Sequence, residues 1–525
     1  MGGGIQHRRD SDEFTEASPL LTGRPQRPSH RPTLSVTSIR SVHVPKVHNG
    51  NTIVNLLCAI IFVGSCSTGF TVIPETRLVE DVVCREYFGL QGNAGGPINE
   101  GDCKANAIQS KVAFIMAFQG SIEAIVGFFA AFPWGLAADR IGRKPVFAIN
   151  LFGQLIGIFW CMAVLYFHNT FPVELLWLGS AGTLLGGGNA VLVGIVFSMI
   201  TDSTTEEKRA IAFMRLHVAS LCGNLLSPAL SSLMMGKVGP WPPIWVAVII
   251  LVICAIAFLF VPETLKHQQN QEHDEDSYAE TEASGLRARA SYVLRRFKES
   301  LSILSSPSLV LLLLTCLCSA PVLHSTVQFM AQFVSKRYHI KLSETGYVQS
   351  IYGVVVAIQA LLVLPWFSRY IMKSTTPARF RATDEHHRDL SLARCSYGAL
   401  VLGALVLGLA PTLPGFIFGL IIMGIGSGSS SLTKSLMSLY VDPEHRSRLF
   451  SLVGMAEVVG SVYSQPFLAT LFALGMKLDG GWIGLPYYGL SILIVVAGSL
   501  LLFVKVPKES KDPASAQESG NIEDQ

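Results

Sequence analysis

Charged residues are scarce in this chain: Asp, Glu, Lys and Arg together make up 15% of its 525 residues. Soluble domains carry about 25%, so the composition argues against a protein that exposes its whole surface to water. The net charge is only +3, which gives no basic surface of the kind that binds nucleic acid. We therefore expect a chain that lies largely in lipid and has no nucleic-acid partner.

Several motifs of energy-using and catalytic proteins are also missing. No Gly-x4-Gly-Lys-Ser/Thr loop occurs, which argues against an ATP-driven pump. No His or Cys spacing indicates a metal site, and no nucleophile stands beside a base in a recognisable arrangement. Residues 1–47 are polar and basic, unlike a cleavable signal peptide. We expect neither an enzyme nor a protein that needs a cofactor or a metal.

Long apolar runs, in contrast, are abundant, because 50% of the residues are hydrophobic. A helix needs about 20 mostly apolar residues to cross the hydrocarbon core, and twelve segments reach roughly that length. They lie at 53–74, 113–137, 145–167, 175–200, 210–235, 242–262, 308–333, 344–368, 393–411, 414–440, 449–475 and 483–504. The sequence predicts an all-α membrane protein with twelve transmembrane helices.

Lys and Arg are distributed unevenly between the predicted loops. If both termini are cytoplasmic, 29 of the 40 basic residues fall on the cytoplasmic side and 9 on the other, as the positive-inside rule requires. We expect this orientation, in the plasma membrane or a vacuolar membrane. Cys84 and Cys103 share the first loop on the opposite, oxidising side; we expect a disulfide there, and two free thiols are the alternative.

The sequence predicts a tail at each end of the chain and a linker at its centre. Residues 1–47 are predicted to form a disordered cytoplasmic tail, and 266–305 and 508–525 a cytoplasmic linker and tail. Between them lie two six-helix bundles, 48–265 and 306–507. The motif Glu16-Ala17-Ser18-Pro19-Leu20-Leu21 resembles a sorting signal bound by an adaptor protein; a chance occurrence is the alternative.

An internal repeat relates the two halves at an offset of 240 residues. The repeated residues are Gly186, Gly188 and Asp202 in the first half and Gly426, Gly428 and Asp442 in the second. An acid-x-Arg-x-x-x-Phe string follows each aspartate and contains Arg209 and Arg446 respectively. The repeat predicts two pseudosymmetric bundles related by an axis along the membrane normal.

The repeated residues have two expected roles. Small residues let helices approach closely in lipid, so the repeated glycines are predicted packing positions. The Asp and Arg after each helix are predicted to pair across the cytoplasmic face when it closes, and simple anchoring of the topology is the alternative.

The segment at 135–145 reads Gly-Leu-Ala-Ala-Asp-Arg-Ile-Gly-Arg-Lys-Pro. Its two Gly and its Pro mark a tight connection, and its basic residues suit a cytoplasmic loop. The segment resembles the loop between the second and third helices of the major facilitator superfamily. The matching residues are Gly135, Asp139, Arg140, Gly142, Arg143 and Lys144. The resemblance implies a cytoplasmic gate, in which Asp139 and Arg143 form a further pair.

The resemblance extends over residues 50–508 and implies a fold of two six-helix bundles and a secondary transporter. Pro74-Glu75-Thr76-Arg77 is similar to a fungal branch related to tetracycline-efflux-like and proton-coupled folate-like carriers. Gly223 and Pro228 match part of a proton-antiporter signature. The arginine that drug–proton antiporters carry in the fourth span is Gly182 here.

Proton-coupled efflux of drugs or metabolites by alternating access is accordingly the main expectation. The alternatives are proton-coupled uptake of a nutrient or an organic anion, and a membrane sensor that transports nothing. We expect a monomer whose partners are its small-molecule substrate, protons and the bilayer.

Ionisable residues inside apolar spans mark functional pathways. Glu123 lies 12 residues before Gly135, about 18 Å along a helix, and is the first candidate for proton coupling; a structural carboxyl is the alternative. Lys434 and Glu457 lie at similar depths on neighbouring helices. We expect an ion pair, which either responds to a proton or substrate or forms a static bridge.

Polar side chains also recur in the spans. His324, Gln328 and Gln332 are spaced four residues apart, so they share one helix face. In the first half the polar residues are Gln119, Gln154 and Asn189. We expect the set to line the substrate cavity; the alternative for any single amide is a bond to a neighbouring helix.

Overall fold

The computed structural model describes residues 50–90, 99–263, 306–372, 385–441 and 446–505. Within these ranges twelve helices are long and apolar enough to cross a membrane, so the protein is an all-α integral membrane protein. The helices are α1 Gly50–Gly89, α2 Asn106–Ile141, α3 Arg143–Tyr166, α4 Val173–Ser203, α5 Ile211–Val238, α6 Trp241–Leu259, α7 Pro307–Val327, α8 Leu342–Ile371, α9 His387–Leu409, α10 Leu413–Tyr440, α11 Leu452–Leu478 and α12 Gly480–Leu502.

Several predictions concern residues outside these ranges. They are the tail at 1–47 with its motif at Glu16–Leu21, the linker at 266–305, the tail at 508–525 and the gate residue Asp442. The side chain of Arg446 also lies outside the description.

Helix α1 is longer than its apolar run. Hydropathy predicts an end at Pro74, whereas the helix continues through that proline to Gly89. Neighbouring helices in a membrane bundle can satisfy the backbone groups that a proline frees. As a consequence Glu75, Arg77 and Glu80 lie on a membrane helix rather than in a loop.

Helix α4 is broken in the middle of its span. Val173–Leu184 forms a 3-10 helix and Gly188–Ser203 an α-helix. Between them Gly186, Gly187 and Gly188 have φ angles of +87°, +80° and +66°. Glycine enters this left-handed region readily because it has no Cβ, so the Gly-Gly-Gly run is what permits the break.

The side chain of Asn150 completes this break. Its Nδ2 donates to the carbonyl oxygens of Gly186 at 2.8 Å and Gly188 at 2.7 Å, so these carbonyls are bonded despite the break. The repeat copy Gly426–Gly428 instead forms a single 3-10 turn. An added Cβ would lie 2.6 Å from Ser396 O at Gly426 and 2.2 Å from Asn150 Cα at Gly186, so both copies lie where helices pack closely, and the first copy also carries the break.

The first six helices pack mainly among themselves, as do the last six, and the halves meet where α2 contacts α11 and α5 contacts α8. Small residues permit these approaches. An added Cβ at Gly223 of α5 would lie 2.8 Å from Ser65 Cβ of α1. Pro228 is buried in α5, and its carbonyl oxygen faces Gly346 of α8.

Cys84, near the end of α1, forms a disulfide with Cys103 in the short turn Asp102–Lys104, as predicted. Because this turn precedes α2, the disulfide lies at one end of the helices and Asp139 at the other. These are called the disulfide end and the Asp139 end below.

Candidate functional site

A cavity of about 350 Å³ lies between the two halves. Helices α1, α2, α3, α4 and α6 line one side of it, and α7, the residues that follow α7, and α11 line the other. Besides several Ser and Thr hydroxyls, the polar side chains of its lining are Glu75, Gln119, Glu123, Gln154, His324, Gln328, Gln332 and Gln465. Asn189 was expected among them, but it is an exposed residue of α4 outside the lining.

Two carboxyl groups meet at one wall of the cavity. Gln119 and Glu123 are one turn apart on α2, so they share a face. Gln119 Nε2 donates to Glu75 Oε1 at 2.9 Å, and Glu123 lines the same cavity. Glu123 is solvent-exposed although it lies in a membrane span, because it faces the cavity. A pair of this kind can hold a proton or a cation.

His324 lies on the opposite wall. Its Nδ1 is 3.1 Å from Gln328 Oε1 and 3.3 Å from Gln465 Nε2. Its Nε2 is buried and has no hydrogen-bond partner among the described residues. The role of each ring nitrogen depends on the tautomer, so His324 offers the cavity either a donor or an acceptor.

Gln332 also joins the two halves. It lies in the short helix Phe329–Tyr338 that follows α7. Its Nε2 donates to the carbonyl oxygen of Gln109 at 2.8 Å and to Gln109 Oε1 at 3.1 Å. Gln109 is in the first turn of α2, so this contact closes the cavity towards the disulfide end.

A buried ionic cluster lies beside this contact. Glu80 is only 1% exposed and accepts hydrogen bonds from Arg77 at 2.9 Å, Lys104 at 2.6 Å and Gln109 at 2.6 Å. Charges out of water are tolerated when they are paired and bonded in this way. Hydropathy gave no indication of the cluster, because it treats all of these residues as loop.

The cluster continues into the second half. Lys336 Nζ donates to the carbonyl oxygen of Lys104, and the N–H of Leu342 donates to Glu100 Oε1 at 2.8 Å. Burial lowers the pKa of the Lys336 ammonium, and the charge of Asp479 opposes that shift. We call this set, which spans both halves, the disulfide-side latch: Arg77, Glu80, Glu100, Lys104, Gln109, Gln332, Lys336 and Leu342.

At the Asp139 end, the segment 135–145 is bound within the first half. Gly142 turns the chain between α2 and α3 with a φ of +103°. Glu263, after α6, accepts hydrogen bonds from the N–H groups of Arg143 at 3.3 Å and Lys144 at 3.0 Å. A carboxylate at this position stabilises the N-terminus of α3. Lys144 Nζ in turn donates to Val261 O at 3.0 Å.

At this end Arg143 pairs with Asp202 at the end of α4. The predicted pairs, Asp202 across the cytoplasmic face and Asp139 with Arg143, concern the closed face and stay predictions. Asp139 and Arg140 are exposed at the end of α2. Asp202, the first-half aspartate of the repeat, thus joins α3 and α4 of the same half in this structure.

The expected pair in the second half is present. Lys434 Nζ lies 2.6 Å from Glu457 Oε1, and both side chains are 35% exposed. Neither residue lines the cavity.

Comparison with known proteins agrees with this architecture. The family model of the Major Facilitator Superfamily matches residues 112–383. The chain is 29% identical to the MFS efflux pump atnC of Emericella nidulans, over 96% of this chain and 95% of that protein. It is 26% identical to the efflux pump ustT of Aspergillus flavus, over 81% of this chain and 83% of that protein.

Solved structures with the same fold are more distant in sequence. The human organic anion transporter MFSD10 (TETRAN) superposes with a TM-score of 0.53 and 14% identity, over 87% of this chain and 100% of that one. A D-xylose-proton symporter superposes with a TM-score of 0.59 and 14% identity, over 87% of this chain and 98% of that one. At this identity the likeness concerns the fold alone.

Proposed function

This chain belongs to the major facilitator superfamily and is a membrane transporter, and on that premise we propose that it exports a small organic solute by proton-coupled alternating access. The observation that carries the proposal is the cavity between the halves, with Glu123 and Glu75 on its wall. A solute and a proton can both reach these carboxyls, so binding of one affects binding of the other.

Alternating access needs contacts that close one end of the cavity and then break. The disulfide-side latch supplies such contacts, because Gln332 and Lys336 of the second half bond Gln109 and Lys104 of the first. For the cavity to open towards the disulfide end, these bonds must separate. The conformation described here is therefore closed at that end.

The Asp139 end of the first half is suited to move as one body. Arg143 joins α3 to the end of α4, and Glu263 joins the segment after α6 to the start of α3. These contacts stay within one half, so they do not need to break when the halves rock against each other. In this proposal the residues at 135–145 hold the first half together while it moves, instead of forming the gate that the sequence predicts.

Orientation and direction complete the proposal. The disulfide suits an oxidising compartment, and the excess of Lys and Arg on the other side suits the cytoplasm. Both termini would then be cytoplasmic, in the plasma or vacuolar membrane. Export is proposed because relatives that align over most of this chain carry the name efflux pump.

The test is solute movement in proteoliposomes under an imposed pH gradient. A fluorescent or radiolabelled panel of amphipathic solutes is offered at equal concentration on both sides of the membrane. The proposal predicts that at least one solute moves uphill against the proton flow and stops when an ionophore collapses the gradient. Uphill solute movement only in the direction of the proton flow would show proton-coupled uptake instead of export. Solute movement that does not depend on the pH gradient would exclude proton coupling.

A further inference from the structure

The charged residues of the cavity lining carry only one sign. Glu75 and Glu123 are the carboxyls of the lining, all of whose residues the structure describes, and the lining holds neither Lys nor Arg. Its other titratable groups are His324 and Cys161. The one described hydrogen bond to Glu75 comes from Gln119, an uncharged amide.

The basic residue nearest to Glu75 along the chain is held by other carboxylates. Arg77, two residues after Glu75, bonds Glu80 at 2.9 Å and lies 3.7 Å from Glu100. In the second half, Lys434 pairs with Glu457 at 2.6 Å. Within the described residues, these cations are therefore engaged away from the cavity, and they do not balance the charge of its carboxyl pair.

A carboxylate pair without a protein cation must take its positive charge from elsewhere, because an uncompensated charge out of bulk water is costly. Protons are one source and a cationic solute is the other. The rest of the cavity wall suits the body of such a solute. Met116, Met162, Phe329 and Leu468 are apolar, as is typical of sites that bury most of a small ligand.

We propose that the transported solute is an amphipathic organic cation, a protonated amine or a fixed onium, which displaces protons from Glu75 and Glu123, and that the cavity rejects organic anions. This inference rests on the proposed transport function, since it assigns a substrate class to the same cavity. It also separates this chain from an organic-anion carrier of the same fold.

Two probes of similar four-phenyl shape and opposite charge test the inference. Tetraphenylphosphonium and tetraphenylborate are titrated into the purified full chain at pH 7.5, together with the smaller cation benzyltrimethylammonium. We expect saturable binding of at least one cation, and at least tenfold weaker binding of tetraphenylborate than of tetraphenylphosphonium. Binding of no cation, or equal binding of the two tetraphenyl ions, overturns the inference.

Three variants locate the binding. Glu75→Gln and Glu123→Gln keep the side-chain shape and remove the charge, so each should weaken cation binding about tenfold, and the double variant should abolish the preference for cations. Glu86→Gln is the matched control, since Glu86 is 48% exposed and pairs with Lys111 outside the cavity. If Glu75→Gln fails to fold, cation binding by Glu123→Gln alone tests the inference. Unchanged cation binding in the correctly folded variants would contradict the inference.

The pH dependence has a definite sign. At pH 5 protons compete with the cation for Glu75 and Glu123. The other titratable groups of the lining are His324 and Cys161, and any positive charge gained by His324 could only weaken cation binding further. Cation binding should therefore be weaker at pH 5 than at pH 7.5. Equal binding at the two values, or stronger binding at pH 5, would contradict competition with protons.

The inference and the transport function fail in different ways. If a neutral solute drives proton flux that depends on Glu123 while no cation binds, transport stands and the substrate class is wrong. If cations bind at Glu75 and Glu123 but no bound cation crosses the membrane, the site is right and the transport proposal is wrong.

Discussion

Gln119 Nε2 donates a 2.9 Å hydrogen bond to Glu75 Oε1, and this contact joins α1 to α2 at the wall of the central cavity. It brings a carboxyl that hydropathy places in a loop beside Gln119, which lies one helical turn before Glu123 on α2. The two glutamates therefore belong to one site, and a change at either should alter both proton and solute binding.

The break in α4 should depend on glycine at position 186. Gly186→Ala puts a Cβ against the backbone of Asn150 at a φ of +87°, and strain of this kind costs about 1–3 kcal/mol. We expect a lower unfolding temperature for the detergent-solubilised protein. Gly194→Ala is the control, because Gly194 is also in α4 and has open space around its Cβ position. Equal unfolding temperatures for the two variants would show that the break is not required.

The disulfide-side latch should depend on Lys104 for its stability. Lys104→Met removes a cation that is 6% exposed and leaves the nearly fully buried Glu80 short of one partner, at a cost of about 3 kcal/mol. Lys111→Met is the control: Lys111 is 37% exposed, and surface pairs contribute about 0–1 kcal/mol. Thermal unfolding of both variants measures the difference. A Lys104→Met protein as stable as Lys111→Met would mean that the ion pair of Lys104 with Glu80 does not stabilise the fold.

The pair of Lys434 and Glu457 should couple weakly. Each side chain is 35% exposed, and pairs that are not fully buried typically contribute about 0.2–1 kcal/mol. A double-mutant cycle with Lys434→Met and Glu457→Gln measures it. A coupling near zero would remove the pair as a stabilising contact. Intact solute transport in the double variant would identify it as a static bridge rather than a coupling element.

The disulfide should stabilise the turn that carries Lys104. Cys84 and Cys103 are 19 residues apart, and a bridge that closes a loop of this length contributes about 3 kcal/mol. Cys84→Ser should lower the unfolding temperature, whereas Cys395→Ser, at an exposed free cysteine, should not. Reductant should lower the unfolding temperature of the Cys395→Ser protein as it lowers that of the wild type. It should not change the unfolding temperature of Cys84→Ser. An effect of reductant on Cys84→Ser would place the sensitive bond elsewhere.

The sequence predicts the spans well, because apolar length is a direct requirement of the bilayer. The end of α1 is the clearest failure: Pro74, Glu75 and Arg77 lower the local hydropathy although the helix continues. Leu78, Val79, Val82 and Val83 then resume a helical spacing on a buried face, and that periodicity is the signal which hydropathy misses.

Pairings between distant segments were harder to predict. Arg143 has several acidic candidates along the chain, and only the three-dimensional packing of α3 against α4 selects Asp202. Likewise the copies of the repeated glycine motif differ in backbone conformation, since Asn150 bonds the broken first copy. Spacing shows which residues recur, but their partners depend on the surrounding helices.

The most direct test of the account is proton flux into proteoliposomes that contain the purified protein, measured with wild type and with Glu123→Gln while a panel of organic cations, neutral solutes and anions is added. The account predicts that cations drive proton movement in the opposite direction in the wild type and that Glu123→Gln abolishes it. A Glu123→Gln protein that still couples solute to proton movement, like wild type, would contradict the central role of this carboxyl.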